Sequence, residues 1–149
     1  MENINELWGK FNEYSNRLSA ALGRTNNIVG EYTEYLAHQF YGGRLLDISC
    51  GSADIEADGK HYQVKSRKTK NGLTTQLNVI RSWDFEFLVV ILFDERGGVA
   101  RAVEVPVETA RLFGKENTHQ NGWVISTTKK FLNASDARDI TADLEALNS

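Results

Sequence analysis

Apolar residues recur at helical spacing up to Tyr41, and from Gly43 onward the spacing shortens to two. Ile4, Leu7, Trp8, Phe11, Leu18 and Leu22 fall on one side of a helix, with Tyr14 near the same stripe. Asn3 and Glu6 have the spacing of a capping box, and Gly23 follows the last periodic residue. The pattern therefore predicts a helix over 4–22. A second predicted helix covers 27–41, with Asn26 or Asn27 as its cap and Gly42 and Gly43 as its stop. Ile28, Tyr32, Tyr35, Leu36 and Phe40 form its apolar face, while Glu31, Glu34 and His38 share another.

Strands are predicted at 44–50, 52–57 and 60–67. Asp58-Gly59 between the last two is a two-residue hairpin signal, so that pair should be antiparallel. Alternation then places Asp54 with Glu56 on one face, and His61, Gln63, Lys65 and Arg67 together on one face of the next strand. Residues 68–82 read as a turn followed by a short helix or an irregular loop. Residues 85–94 are continuously apolar, as in a central strand buried on both sides. A turn at 95–98, a strand at 99–105 and a short helix at 107–113 opened by Pro106 follow. Residues 122–128 form a late strand or a segment packed beside the sheet. A last helix is predicted over 136–147, with Ile140, Leu144 and Leu147 as its stripe. The fold class is α/β: a mixed central sheet of about five strands flanked by helices.

The 149 residues suit a single domain. It divides into a helical N-terminal part (1–43), a core-like region (44–106) and C-terminal packing elements (107–149). The net charge of -3, from 17 Lys and Arg against 20 Asp and Glu, argues against a charge-driven nucleic-acid coat protein and leaves room for a local basic site. The single cysteine, Cys50, excludes an internal disulfide and a cysteine-built zinc site. No apolar run approaches the ~20 residues of a membrane helix. The first ten residues carry acids where a secretory signal carries bases, so the expected location is the cytoplasm.

Candidate chemistry centres on residues 53–65. With the turn at Asp58-Gly59, Asp54 lies nearly opposite Gln63, and Gln63 and Lys65 point to the same side. A carboxylate, an amide oxygen and an ammonium thus converge. Asp54 suits Mg²⁺, which favours carboxylates, waters and phosphate oxygens, with Mn²⁺ as the substitute ion. Gln63 and the Val64 carbonyl offer further oxygens. Lys65 can orient an attacking water or stabilise charge on a phosphate. Glu31 is the fourth candidate, reaching the metal directly or through water, and Glu34 competes with it one turn along. Glu56 and His61 are lesser candidates, expected at the strand end and over the sheet edge. Trp8, Phe11 and Tyr14 are expected to pack on the core, with a dimer face as the alternative.

Asp54 followed after a hairpin by Gln63-Val64-Lys65 resembles the catalytic core of the PD-(D/E)XK nuclease superfamily. Gln63 stands where Asp or Glu is usual, a pattern similar to that of Mrr-like restriction endonucleases. The helix from Gly30-Glu31 to Tyr41-Gly42 resembles that of Holliday-junction-resolvase-like proteins, with Glu31 in the place of their helix glutamate. The match covers about residues 28–94, and Ala53 replaces the proline of the superfamily name. The resemblance implies a restriction-endonuclease-like three-layer core. It also implies Mg²⁺-dependent hydrolysis of DNA phosphodiesters, with Glu31, Asp54, Gln63 and Lys65 as catalytic residues.

Independently, residues 60–81 carry six cations (Lys60, Lys65, Arg67, Lys68, Lys70, Arg81) and no Asp or Glu. Such a stretch fits phosphate contact, with Arg67, Lys68, Lys70, Asn71 and Arg81 as candidates. Compatible substrates are duplex, nicked, branched or modified DNA, and RNA. Cutting both strands calls for two sites, so a homodimer is expected. The competing reading is an inactive DNA-binding or protein-interaction module, such as the partner subunit of a restriction or repair system.

Overall fold

A computed structural model describes residues 3–23, 28–47 and 53–149. The Asn26 or Asn27 cap, Cys50, residues 48–50 and 52 of two predicted strands, and the side chain of Trp8 lie outside the described residues.

Helix α1 spans Ile4–Leu22. Asn3 caps it by accepting from the Asn5 and Glu6 amides, and Gly23 ends it in the left-handed conformation. Helix α2 spans Ile28–Tyr41 and stops at Gly42 and Gly43, both at positive φ. The strands β1 (Arg44–Leu45), β2 (Ile55–Ala57), β3 (Lys60–Lys68), β4 (Phe87–Phe93) and β5 (Val99–Pro106) follow. Asp58 (φ 51°) and Gly59 (φ 75°) join β2 to β3 in the left-handed pair that a two-residue hairpin requires. Helix α3 (Val107–Phe113) leads to the small hairpin β6 (Lys115–Asn117) and β7 (Gly122–Val124). Helix α4 (Lys129–Leu132), strand β8 (Arg138–Asp139) and helix α5 (Thr141–Asn148) complete the described residues.

The main sheet has six strands in the order β1-β2-β3-β4-β5-β8. It is mostly antiparallel, with β3 and β4 parallel. The sixth strand corrects the expected five. It also corrects the predicted helix over 136–147: Arg138 and Asp139 pair with the free edge of β5, and the helix starts only at Thr141. Ile140 and Leu144 are buried as expected, whereas Leu147 is exposed.

Alternation along β4 builds two cores from one apolar run. Val89, Ile91 and Phe93 face Leu36 and Ala37 of α2 and Leu144 of α5. Leu88, Val90 and Leu92 face Ala110 of α3, Phe131 of α4, and Leu77, Ile80 and Ile125. The sheet is thus the middle of three layers. Residues 69–86, where a crossover between parallel strands usually folds as a helix, are irregular here. They are pinned instead by isolated bridges from Gln76 to Ser126 and from Ile80 to Trp123. Helix α1 lies outermost. Its Phe11 and Tyr14 are 60% and 59% exposed, so they are not the core contacts that the periodicity suggested. Among the described residues no helix is long and apolar enough to cross a membrane.

Tyr41 ties α2 to β5. Its hydroxyl donates to Glu104 Oε2 at 2.6 Å, and Arg138 holds the same oxygen at 3.2 Å. Burial first, and then the bond to Glu104, push the phenol far above its usual range. An unfolded tyrosine ionises near 10.0, so the fold loses stability as pH rises past that value. Tyr41→Phe is expected to cost about 1–2 kcal/mol at neutral pH and to flatten the alkaline decline, as read by urea unfolding at both pH values.

Candidate active site

The site forms where β2 stops short. Its ladder with β3 begins at Ile55 opposite Tyr62, so among the described residues the β3 edge beyond Tyr62 has no strand partner on that side. Asp54 occupies the first open position. Its amide donates to the Tyr62 carbonyl at 2.8 Å, and its Oδ2 accepts from the Val64 amide at 2.8 Å. A strand residue directs its N–H and C=O toward the same edge, so the Val64 carbonyl also faces this opening. Around it lies a cleft of about 440 Å³, lined on one side by Val29, Gly30, Thr33 and Glu34 of α2 and on the other by Asn78. Asp54 and residues 63–68 form its floor.

Asp54, Gln63 and Lys65 meet in this cleft, as the hairpin spacing predicts. Gln63 is 8% exposed, and its buried Oε1 has no hydrogen-bond partner among the described residues. Leaving a buried amide oxygen unpaired costs roughly 1–3 kcal/mol, which an incoming electropositive group would offset. Lys65 Nζ donates to the Val79 carbonyl at 3.1 Å. Burial lowers the lysine pKa, Asp54 opposes that shift and Arg81 adds to it. Arg67 Nη1 donates to Asn78 Oδ1 at 3.3 Å, and Lys68 lines the same cleft. Three cations therefore face two carboxylates, Asp54 and Glu34.

Other candidates lie elsewhere. Glu31 is 4% exposed and lines a hollow between α1 and α2 with Leu18, Leu22 and Tyr35, so the structure does not bring it to the cleft. Glu34 lines the cleft in its stead. Glu56 and His61 pair with each other at 3.1 Å, and Arg44 and Glu86 complete that exposed cluster away from the cleft. The Arg44 hydrogen bond and charge lower the Glu56 pKa. Asn71 borders a surface hollow beside Asp94 and Glu95, while Lys70 and Arg81 are exposed outside the cleft lining.

Sequence reasoning missed Thr33 and Ser66. Thr33 Oγ1 donates to the Val29 carbonyl at 2.7 Å and shares a 2.8 Å hydrogen bond with Ser66 Oγ. The pair fastens α2 to β3 at the cleft wall. The one signal was a β-branched hydroxyl residue inside a helix, where the side chain bonds the carbonyl four residues back.

Among the described residues no three His, Cys, Asp or Glu side chains gather as metal ligands. The cleft offers a different donor set: one carboxylate, one unpaired amide oxygen and one strand-edge carbonyl, with Glu34 on the opposite wall. All are hard oxygens, the kind that Mg²⁺ takes alongside its own waters. No protein-family model matches the chain, and no curated protein sequence matches it.

Proposed function

We propose that the chain is a metal-dependent DNA endonuclease of the restriction or repair type, built on a restriction-endonuclease-like core. The observation that carries this reading is the meeting of Asp54, Gln63 and Lys65 at an open strand edge, inside a cleft with a cationic excess. The coarse architecture, a mixed sheet between helical layers, agrees with the resemblance to PD-(D/E)XK nucleases.

In this reading Asp54, Gln63 and the Val64 carbonyl would hold Mg²⁺ or Mn²⁺, with Glu34 contributing directly or through water. The bound ion supplies Lewis-acid polarisation of a phosphoryl oxygen and lowers the pKa of a bound water. Lys65, steadied by the Val79 carbonyl, presents its ammonium to the scissile phosphate, where negative charge grows as water attacks. A new P–O bond forms from the water oxygen, which gives up a proton to solvent; the bond to the leaving sugar oxygen breaks, and that oxygen takes up a proton from solvent. Arg67 and Lys68 hold flanking phosphates by charge. Incubation with plasmid, nicked and branched DNA, with Mg²⁺ and then Mn²⁺, is expected to give cleavage. Inactivity on all three by folded protein that binds DNA removes the hydrolase and leaves the second reading, a binding module. Gln63 in place of a carboxylate is the observation that favours that alternative.

The working unit is a homodimer through α1. Ile4, Leu7, Phe11, Tyr14 and Leu18 alternate by three and four residues, the spacing of a coiled-coil seam, and all five are exposed. In a parallel pair Lys10 and Arg17 flank the seam opposite uncharged Ser15 and Leu22, so no like charges face each other. Two such faces bury on the order of 1,000 Å², the lower end for a specific interface. Phe11→Ser with Tyr14→Ser is expected to convert a sedimenting dimer to a folded monomer and to turn double-strand cutting into nicking. A wild-type chain that sediments as a monomer at micromolar concentration refutes this pairing.

A further inference from the structure

We infer that the nucleic-acid surface extends beyond the cleft onto residues 117–135, with Lys129 and Lys130 as added phosphate contacts. The inference rests on the proposed reading of the cleft and assigns its reach. The two longest stretches of the chain without Asp or Glu are residues 59–83 and 117–135. They are remote in sequence, yet the fold lays them side by side. The Thr127 amide donates to the Thr75 carbonyl at 2.7 Å, the Leu77 amide to Ile125 at 3.0 Å, and Ile80 and Trp123 exchange both backbone bonds. Leu77, Ile80, Ile125 and Phe131 are buried and fasten this two-segment wall to the sheet.

The wall begins at the cleft. Asn78 lines it and accepts from Arg67, and the Val79 carbonyl accepts from Lys65. From there the exposed positions include Gln76, Asn78 and Arg81 on the first segment, and Lys129 and Lys130 on the second. Among the described residues neither lysine has an ion-pair partner. Four arginines elsewhere, Arg17, Arg44, Arg101 and Arg138, each lie within 4.0 Å of a carboxylate, whereas residues 117–135 contain no carboxylate to neutralise Lys129 and Lys130 locally. A surface that excludes carboxylates from two separate segments and leaves its cations unmatched suits a long polyanion. A small anion would occupy the cleft alone. Donors such as Gln76, Asn78 and Thr128 can meet phosphate oxygens without sequence selectivity.

The test uses the full chain and a fluorescein-labelled duplex, with anisotropy measured across a salt series and cleavage followed on the same duplex. Lys129→Ala with Lys130→Ala is expected to make the slope of log affinity against log salt shallower by about 2. KM should rise while kcat at saturating DNA stays unchanged. A control pair, Arg44→Ala with Arg96→Ala, removes equal charge outside the surface (Arg44 sits beside Glu56 away from the cleft, and Arg96 follows Asp94 and Glu95) and should leave the slope in place. An unchanged slope in the Lys129/Lys130 variant, with a wild type that binds and cuts, overturns the extended surface and leaves the nuclease standing. A shallower slope in a protein that never cuts keeps the surface and removes hydrolysis. A wild type with no affinity for DNA at any salt overturns both.

Discussion

Asp54→Asn should leave a folded protein that binds DNA and no longer cuts it. Asparagine keeps an oxygen at the position where Oδ2 accepts from the Val64 amide at 2.8 Å, so the anchoring of residue 54 to β3 survives. What disappears is charge. The floor of the cleft is then left with neutral oxygens only, and Glu34 on the opposite wall becomes the lone carboxylate. Binding of a divalent ion by neutral donors in a cationic cleft is weak, and losing its contribution to the transition state costs about 10³-fold or more in rate. Affinity for DNA in the absence of metal should rise, because a negative charge facing the phosphate is gone. The measurement is plasmid nicking over a Mg²⁺ titration, paired with thermal unfolding and anisotropy. Nicking by the variant at the wild-type rate would remove Asp54 from the mechanism.

The second large effect is structural and reaches the same site. Gly43 sits at φ 68° and packs against the β2 backbone, where an added Cβ would lie 2.1 Å from the Glu56 carbonyl oxygen and 2.8 Å from Ala57 Cα. Both opposing atoms are backbone, so no side chain can swing aside. Gly43→Ala is therefore expected to cost about 2–5 kcal/mol, combining the left-handed conformation with the clash. Relief of the clash displaces β2, and Asp54 lies just ahead of that strand. The expected result is a lower unfolding midpoint in urea, together with cleavage reduced more than the folded fraction accounts for. Gly42→Ala is the comparison: its φ is 71°, but among the described residues nothing lies within 4 Å of an added Cβ, so only the conformational cost applies. Equal losses in the two variants would show that the close approach to β2 is not what matters at Gly43.

The elements that could be read from residue order are those held by near neighbours. Helix α1 has its cap at Asn3 and its stop at Gly23, all within one helical period of their partners. The β2–β3 turn needs only Asp58 and Gly59 at positive φ, and that turn alone sets Asp54 across from Gln63. The central strand was legible because a run buried on both faces has no polar alternation to disguise it. Residues 69–86 and β8 were not legible in this way. Their partners are distant in the chain, as Ile80 is from Trp123 and Val103 from Asp139, and no short-range preference encodes such pairs.

The choice between Glu31 and Glu34 shows the same division within the site. The two sit about 60° apart around a helix, so both belong to one polar arc by periodicity. Burial of Leu36 and Ala37 against the sheet and the Thr33–Ser66 bond set the rotation of α2, which turns Glu34 to the cleft and Glu31 toward α1. Residue order alone thus decided the local elements and the acid–amide–amine grouping, because a tight turn and strand alternation act over a few bonds. Contacts between remote segments decided which helix carboxylate faces the cleft. They also decided that Val79 steadies Lys65 and that two acid-free stretches share one wall, because each depends on packing energies summed over the whole fold.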